Sequence, residues 1–315
     1  AFKKRSGLVV GIGEGFTCVS SDLPSILPLT RNVIRPLDGE IVTLWADRVE
    51  VRSVEDGSLV DRPVEIVTES MDAVMKGGYA HFMAKEIHEQ PQVARELLHL
   101  LDASGDWVPV GEERWDAGLL YLVGCGPSFH AASAGSVYLA QLAGRAAIPV
   151  LAPQFIAQYA PAIGPGDVGI FVSQSGETKD VLNALEAAQD RGMACFGLAN
   201  VVGSTLTRAA RLCLPLGCGY EISVPATKTF TNQVLTFLYL AYRMAGRDTR
   251  LLARVPDLME ETLAAVAGQV EAIAAEINAW DNLYCLGYGA TYPIALEGAL
   301  KLKEITYAHC EGMLS

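Results

Sequence analysis

One short polar run limits what this chain can fold into more than any other feature. The run SQSGET at residues 173–178 lies between an apolar strand pattern and an amphipathic stretch. Backbone N–H groups at a helix N-terminus lack intrahelical partners and carry partial positive charge, so they stabilise an anion. The hydroxyls of Ser173, Ser175 and Thr178 add further donors. The run therefore predicts a phosphate-binding loop. The alternative is an ordinary helix start capped by Ser175 or Thr178.

Hydrophobic patterning divides the chain into a β-rich first part and a part in which strands and helices alternate. Six short strand patterns, separated by turn signals, lie between residues 8 and 67, and a helical period begins at His81. From residue 119 onward, apolar strands alternate with amphipathic helices. This alternation is typical of a parallel sheet that is covered on both faces. We therefore predict the α/β class, with a parallel sheet flanked by helices in the second part.

Composition and charge exclude several classes of function. The 315 residues carry 24 Lys and Arg against 36 Asp and Glu, a net charge of −12 without a basic cluster. We therefore expect neither nucleic acid nor an acidic membrane surface as a partner. No apolar run reaches the roughly 18–20 residues that a membrane span needs. The seven cysteines show neither CxxC nor metal-binding spacing. This predicts a reducing, cytoplasmic location and no metal site.

A repeat is visible within the second part. The segment 120–129 aligns with the segment 283–292, and both consist of a strand, a G-x-G turn, a small hydroxyl residue, an aromatic residue and a helix. A chance similarity of two βα units is the alternative, because G-x-G after a strand is weak evidence by itself. Together with the 173–178 run, the repeat predicts two tandem α/β domains of one type, the second truncated after its first helix.

Four motifs carry a resemblance to a known family. They are GGYAHFMAKEIHEQP at 77–91, SQSGET at 173–178, ATKTFT at 226–231 and ALEGALKLKE at 295–304. With them, the chain resembles the isomerising glutamine:fructose-6-phosphate amidotransferases (glucosamine-6-phosphate synthases) nearly from end to end. In that family an N-terminal-nucleophile glutaminase domain releases ammonia. Two sugar isomerase (SIS) domains use it to convert fructose 6-phosphate to glucosamine 6-phosphate.

The resemblance implies a division of the chain, which we interpret as an internal fragment of a longer polypeptide. The implied parts are the β-rich C-terminal part of a glutaminase domain (1–75), a linker helix (76–110), a first SIS domain (111–250), a connecting helix (251–280) and the truncated start of a second SIS domain (281–315). The family's glutaminase nucleophile is a cysteine at the mature N-terminus, and Cys18 does not match it. Glutamine is therefore expected as a substrate only of the full-length parent.

The family's sugar-phosphate site maps onto residues from three segments of this chain. The resemblance implies that substrate is bound by Ser128, Ser173, Gln174, Ser175, Thr178, Glu221, Val224, Thr227 and Lys228. For the last segment, the residues alone favour another interpretation, a helix start with Thr227 as its cap.

Three charged residues on one predicted helix are the catalytic candidates. Glu297, Lys301 and Glu304 are spaced i, i+4 and i+7, so they share one helical face. Their apolar neighbours predict a largely buried helix, while a solvated salt-bridge stripe is the alternative. The resemblance implies that Glu304 moves a proton between C1 and C2 of the sugar. It also implies that Lys301 holds negative charge on the enolamine oxygen.

Two positions depart from the family pattern. Pro127 stands where the family usually has threonine, and Ala226 where it has serine. Each lost hydroxyl is expected to weaken fructose 6-phosphate binding by about 1 kcal/mol or more. Three alternatives therefore remain open: an SIS-type amino sugar phosphate deaminase, an aminating isomerase for another sugar phosphate, and a non-enzymatic sugar-phosphate-binding regulator.

The implied partners are few. The small-molecule partner is a sugar phosphate, either fructose 6-phosphate or glucosamine 6-phosphate, and the family implies a homodimer. No organic cofactor is implied, because the family's imine chemistry uses side chains. His309 lies about one helical turn after Glu304, and we interpret it as a partly buried helix histidine rather than as a catalytic group.

Overall fold

The computed structural model describes residues 1–3, 8–21, 23, 25–67, 76–103 and 118–315. These residues form two compact units, Ala1–Ala80 and His81–Ser315. Within the described residues, no helix has the length and apolar character needed to cross a membrane.

The first unit consists of short antiparallel strands. Their bounds are β1 Phe2–Lys3, β2 Val9–Gly13, β3 Phe16–Ser20, β4 Asn32–Ile34, β5 Glu40–Leu44, β6 Val49–Ser53 and β7 Glu65–Ile66. One sheet has the order β1-β5-β6 and the other β3-β2-β4-β7. Side chains from both sheets form a shared core around Val10, Ile34, Val42 and Val51. Each of the six predicted strand patterns overlaps a strand, whereas the two-residue β1 was not predicted.

The second unit alternates strands and helices, as the patterning predicts. Its strands are β8 Leu120–Gly124, β9 Ile148–Leu151, β10 Val168–Ser173, β11 Ala194–Ala199, β12 Leu212–Pro215, β13 Asn282–Gly287 and β14 His309–Leu314. Its α-helices are α1 Phe82–Ala103, α2 Pro127–Ala143, α3 Ala152–Gln158, α4 Lys179–Gln189, α5 Thr205–Ala209, α6 Lys228–Met244, α7 Val255–Ile277 and α8 Tyr292–Thr306. Short 3₁₀ segments lie at Ala160–Ala162, Thr249–Arg254 and Gly289–Thr291.

Five of these strands form one parallel sheet in the order β12-β11-β10-β8-β9. Because side chains alternate along a strand, each strand contributes to two cores. Leu122 and Ile170 belong to the core formed with α1, α2 and α6, whereas Val123 and Phe171 belong to the core formed with α3, α4 and α5. Helices therefore cover both faces of the sheet, and the predicted fold class is confirmed.

The second copy of the predicted repeat begins with β13 and continues into α8, which packs against α2. The structure adds the strand β14, which pairs in parallel with β13. The interpretation of His309 as a partly buried helix histidine is wrong. This residue begins β14, and its side chain is 53% exposed, because α8 ends in a left-handed residue at Tyr307, with φ of 58°.

Candidate functional site

The order of the parallel sheet places a crevice between β8 and β10. After β8 the chain adds β9 on one side, and then crosses to the other side of β8 to form β10. In open parallel sheets, ligands bind outside the carboxyl ends of the strands at such a switch point. The G-x-G turn at 124–126 follows β8, and the 173–178 run follows β10. The topology therefore brings both sequence motifs to one crevice.

Hydrogen bonds within the 173–178 loop hold it in a tight turn. The hydroxyls of Ser173 and Thr178 lie 2.8 Å apart, and the N–H of Gly176 donates to Ser173 Oγ at 3.0 Å. The N–H of Glu177 donates to Ser175 Oγ at 3.1 Å. Ser173 is buried, whereas Gln174, Ser175 and Thr178 are half-buried. The hydroxyl of Ser173 thus shapes the loop, and the other three side chains remain partly accessible.

The alternative of a simple capped helix does not describe this loop. Thr178 occupies the N-cap position of α4, but its side chain accepts no capping hydrogen bond from that helix. Glu177 does not serve α4 either. Its carboxylate accepts hydrogen bonds from the N–H and the hydroxyl of Thr205, both at 2.9 Å, at the start of α5. The N-cap side chain thus leaves the first N–H groups of α4 without a cap, which is the arrangement that anion sites at helix N-termini use.

Asn200 joins the loop after β10 to the segment after β12, and the sequence reasoning missed it. Its backbone N–H donates to the carbonyl of Gln174 at 3.0 Å. Its side-chain amide donates to the carbonyl of Gly219 at 2.6 Å and accepts from the N–H of Cys218 at 2.9 Å. A single Asn directly after the buried strand β11 was the available sequence signal.

The three catalytic candidates form a connected chain of charges along α8. Lys301 Nζ lies 3.1 Å from Glu297 Oε1 and 2.7 Å from Glu304 Oε2. The side chains of Glu297, Lys301 and Glu304 are 6%, 13% and 30% exposed. This row of charged side chains therefore runs from the protein interior toward solvent. His130 on α2 donates from Nδ1 to Glu297 Oε2 at 2.7 Å. The solvated-stripe alternative therefore does not apply to the buried end of this chain.

This charged chain lies next to the first G-x-G turn. Leu300 Cδ2 is 4.0 Å from the place where a Cβ on Gly126 would stand. Glu297 reaches α2 through His130, and α2 begins directly after that turn. The G-x-G turn thus links α8 to the strand ends near which the 173–178 loop lies. Pro127 occupies the first turn of α2 and removes one N–H donor from it.

The segment 221–228 is stabilised by its own charged residues. Glu221 Oε1 accepts from the N–H groups of Thr227 and Thr229 at 2.9 and 3.2 Å, and the Thr229 hydroxyl donates to Glu221 Oε2. Glu221 therefore supplies the cap of α6, which the sequence assigned to Thr227. Val224 at the tip of the segment is 89% exposed.

Lys228 is buried and takes part in an ion-pair cluster that includes α1. Its Nζ donates to Glu89 Oε2 at 2.8 Å, and Lys85 Nζ lies 3.2 Å from Glu89 Oε1. Burial alone would raise the pKa of Glu89, but the hydrogen bonds and charges of Lys228 and Lys85 together lower it below 4.5. A substrate that bound Lys228 would have to compete with the ion pair between Lys228 and Glu89.

Acid is expected to weaken this cluster. Because the pKa of Glu89 is lowered in the folded chain, its carboxylate contributes stability above pH 4.5 that is lost as the pH falls through the lowered value. We expect Glu89→Gln to reduce Tm by roughly 2–4 °C near neutral pH. The difference from the unsubstituted chain should close below pH 4.5. Thermal unfolding of the Glu89→Gln and unsubstituted chains, measured from neutral pH to below pH 4.5, checks this prediction. A Tm difference that does not depend on pH would contradict it.

The structure brings most of the predicted site residues to the crevice region or to segments joined to it. Ser128 is buried at the start of α2. The 173–178 loop follows β10, and Asn200 joins it to Cys218 and Gly219, which precede the 221–228 segment. The sequence reasoning missed the roles of His130 and Asn200, and it missed that Glu86 and Glu89 contact the 221–228 segment. For Glu86 and Glu89, the only sequence signal was their place in the 77–91 motif, within Lys85-Glu86-Ile87 and Glu89-Gln90-Pro91. The substrate and catalytic roles of all these residues stay predictions.

Comparison with known proteins finds one matching domain family and a group of similar enzymes. The SIS domain model matches residues 115–243. A glutamine--fructose-6-phosphate aminotransferase [isomerizing] of Aquifex aeolicus is 40% identical over 314 residues, which are 98% of this chain and 52% of that protein. The protein of the same name from Methanothermobacter thermautotrophicus is 42% identical over 313 residues, which are 98% of this chain and 51% of that protein. The chain thus spans about half the length of the curated relatives it matches.

The fold of this chain is also similar to solved structures. The C-terminal domain of glucosamine-fructose-6-phosphate aminotransferase from Francisella tularensis superposes with a TM-score of 0.67 at 27% identity, covering 76% of this chain and 71% of that one. Glucosamine-6-phosphate deaminase from Thermotoga maritima superposes with a TM-score of 0.65 at 22% identity, covering 75% and 70%, a likeness of fold alone. The resemblance predicted from four motifs is confirmed: over nearly its whole length, the chain is a homologue of the isomerising glutamine--fructose-6-phosphate aminotransferases, and it contains an SIS domain.

Proposed function

We propose that this chain is part of a glutamine-dependent enzyme. The complete enzyme converts fructose 6-phosphate to glucosamine 6-phosphate. The proposal is supported by two features near one switch point of the parallel sheet. The 173–178 loop, which we call the anion loop, lies at the carboxyl end of β10, and the ion pairs of Glu297, Lys301 and Glu304 lie on α8, which packs against α2 after β8. The phosphate would bind at the 173–178 loop, with Ser128 nearby. The sugar carbons would lie toward α8.

The charged chain on α8 suits the proton transfer that this reaction needs. Ammonia first replaces the C2 carbonyl oxygen of the open-chain sugar, giving an imine and water. Glu304 then takes a proton from C1 as the imine nitrogen gains one, which gives an enolamine, and Lys301 stabilises negative charge on the enolamine oxygen. Glu304 returns its proton to C2 as the O1 hydroxyl loses its proton, which gives the C1 aldehyde and the C2 amine of glucosamine 6-phosphate. Glu297 holds Lys301 in place, and His130 holds Glu297. Glu304 is the most exposed of the three charged side chains, so it is the one that a substrate can reach.

The first unit supports the glutamine dependence. Its antiparallel strands correspond to the part of the chain that resembles the end of a glutaminase domain, and we propose that role for residues 1–75. We further propose a cytoplasmic homodimer, on the family resemblance. The seven cysteines support the reducing location, because none forms a disulfide.

The function is tested with the complete protein, of which this chain is a part. We expect glucosamine 6-phosphate to form from fructose 6-phosphate and glutamine. Ammonia release from glucosamine 6-phosphate is measured alongside. Release of ammonia without any glutamine-dependent synthesis would reject the proposal in favour of an amino sugar phosphate deaminase, which Pro127 and Ala226 leave as the second candidate.

A further inference from the structure

A buried carboxylate on α1 contacts the 221–228 segment, although it lies outside the set of proposed site residues. Glu86 is 2% exposed. Its Oε1 accepts hydrogen bonds from two successive backbone N–H groups, those of Ile222 at 2.6 Å and Ser223 at 3.1 Å. Its Oε2 is buried and has no hydrogen-bond partner among the described residues. One oxygen atom of a buried side chain therefore holds two residues of an otherwise irregular segment.

Burial of the Glu86 carboxylate costs desolvation free energy, which the hydrogen bonds of the carboxylate partly offset. Burial raises the pKa of Glu86 above 4.5, and the nearby charge of Glu221 acts in the same direction. The hydrogen bonds from Ser223 and Ile222 and the charge of Lys228 oppose this rise without cancelling it. An apolar side chain would avoid the desolvation cost, but it would leave the two N–H groups without an acceptor. The placement of Glu86 therefore serves the segment rather than the core.

The segment is fixed at both of its ends, and Glu86 holds its middle. Just before it, Asn200 contacts Cys218 and Gly219 and connects them to the 173–178 loop. At its end, Glu221 caps the first turn of α6. Residues 222 and 223 lie between these anchors, directly before the exposed tip at Val224. Glu86 thus holds the two residues that immediately precede Val224.

We propose that Glu86 is a positioning residue, which fixes Ile222 and Ser223 so that residues 224–227 face the sugar at the crevice. The inference rests on the proposed function, since it names a residue that supports the same site. Glu86 acts through the segment and does not touch the substrate. It therefore governs how well the sugar is bound, while the phosphate loop after β10 keeps its own hydrogen bonds.

Three variants of the complete protein test this role. Glu86→Leu removes the acceptor, Glu86→Gln keeps one oxygen that can accept from both N–H groups, and Glu96→Gln is the matched control. Glu96 lies on the same helix, is exposed, and accepts a hydrogen bond from Gln92 on its own helix. The measurements are hydrogen exchange at the amides of Ile222 and Ser223, KM for fructose 6-phosphate, and the inhibition constant of inorganic phosphate.

We expect Glu86→Leu to speed exchange at both amides and to raise KM for fructose 6-phosphate about tenfold, the effect of losing hydrogen bonds to a charged group. The inhibition constant of inorganic phosphate should stay within about twofold. Glu86→Gln should restore amide protection and most of the affinity, and Glu96→Gln should change neither.

Two outcomes would overturn the inference. Protection of both amides and an unchanged KM in Glu86→Leu would show that the segment does not depend on this carboxylate. A parallel loss of sugar affinity, phosphate affinity and Tm, without rescue by Glu86→Gln, would show a general packing role instead. Failure of the proposed function is distinguishable, because the unsubstituted protein would then not use fructose 6-phosphate, whereas exchange at the two amides still reports on Glu86.

Discussion

Replacing Glu304 by Gln in the complete protein is expected to lower kcat for glucosamine 6-phosphate synthesis by about 10²–10⁴-fold, the usual contribution of a general base. The amide has nearly the shape of the carboxylate but cannot take a proton from C1. Because the anion loop is unchanged, KM for fructose 6-phosphate should stay within about threefold. Initial rates at saturating glutamine measure both constants.

The control for this variant is Glu271→Gln. Glu271 lies on α7 and is exposed, so its neutralisation should leave both constants unchanged. If Glu304→Gln turned over at the unsubstituted rate, Glu304 would have no part in the proton transfer. If it lost fructose 6-phosphate binding together with kcat, its role would be in binding instead.

Replacing Gly176 by Ala is expected to disrupt the anion loop. Gly176 has a φ of 65°, and a Cβ placed there would lie 2.0 Å from Ser204 Oγ and 2.6 Å from Ser204 Cβ. Ser204 is buried and has little room to move. The left-handed backbone alone costs about 1–3 kcal/mol for a residue with a side chain. The clash adds to this, so we expect the inhibition constant of inorganic phosphate to rise at least about tenfold.

Gly203→Ala is the control, because Gly203 also has a left-handed backbone but lies outside the 173–178 loop. Gly203 has a similar φ of 77°, but a Cβ there would meet open space. This variant should therefore carry only the backbone cost and leave phosphate affinity unchanged. Equal phosphate affinity in the Gly176→Ala and unsubstituted proteins would contradict the assignment of the 173–178 loop as the anion site.

Features that depend on neighbouring residues were predictable from the sequence. The strand-to-helix transition at 173–178 is local, and so is the alternation that indicates a parallel sheet. The i, i+4, i+7 spacing of Glu297, Lys301 and Glu304 fixes a shared helical face, and the structure connects all three. These inferences follow from the periodicity of helices and strands alone.

Features that depend on distant residues were not predictable. His130 and Glu297 are 167 positions apart, and Glu86 and Ile222 are 136 positions apart. No local pattern indicates which buried polar side chain meets which, because such pairs form only when helices pack. The caps illustrate the same limit. The sequence offers Thr227 at the start of α6, but the more distant Glu221 accepts the hydrogen bonds.

The strand β14 shows how a local pattern can mislead. His309–Leu314 contains a glycine and two charged or polar residues and lacks a clear alternation, so the pattern of α8 was extended to include His309. The parallel pairing with β13 decides the conformation of this segment. A glycine suits that place, because a Cβ on Gly312 would lie 2.6 Å from the backbone of Leu296 on α8.

The most direct test of the central claim is a crystal structure of the complete protein with fructose 6-phosphate bound. We predict that the phosphate accepts hydrogen bonds from the 173–178 loop. We also predict that C1 and C2 of the sugar lie within about 3–3.5 Å of the Glu304 carboxylate, the distance that proton transfer and close approach require. A sugar phosphate bound away from the crevice between β8 and β10, or bound there with its C1 and C2 far from Glu304, would contradict the account.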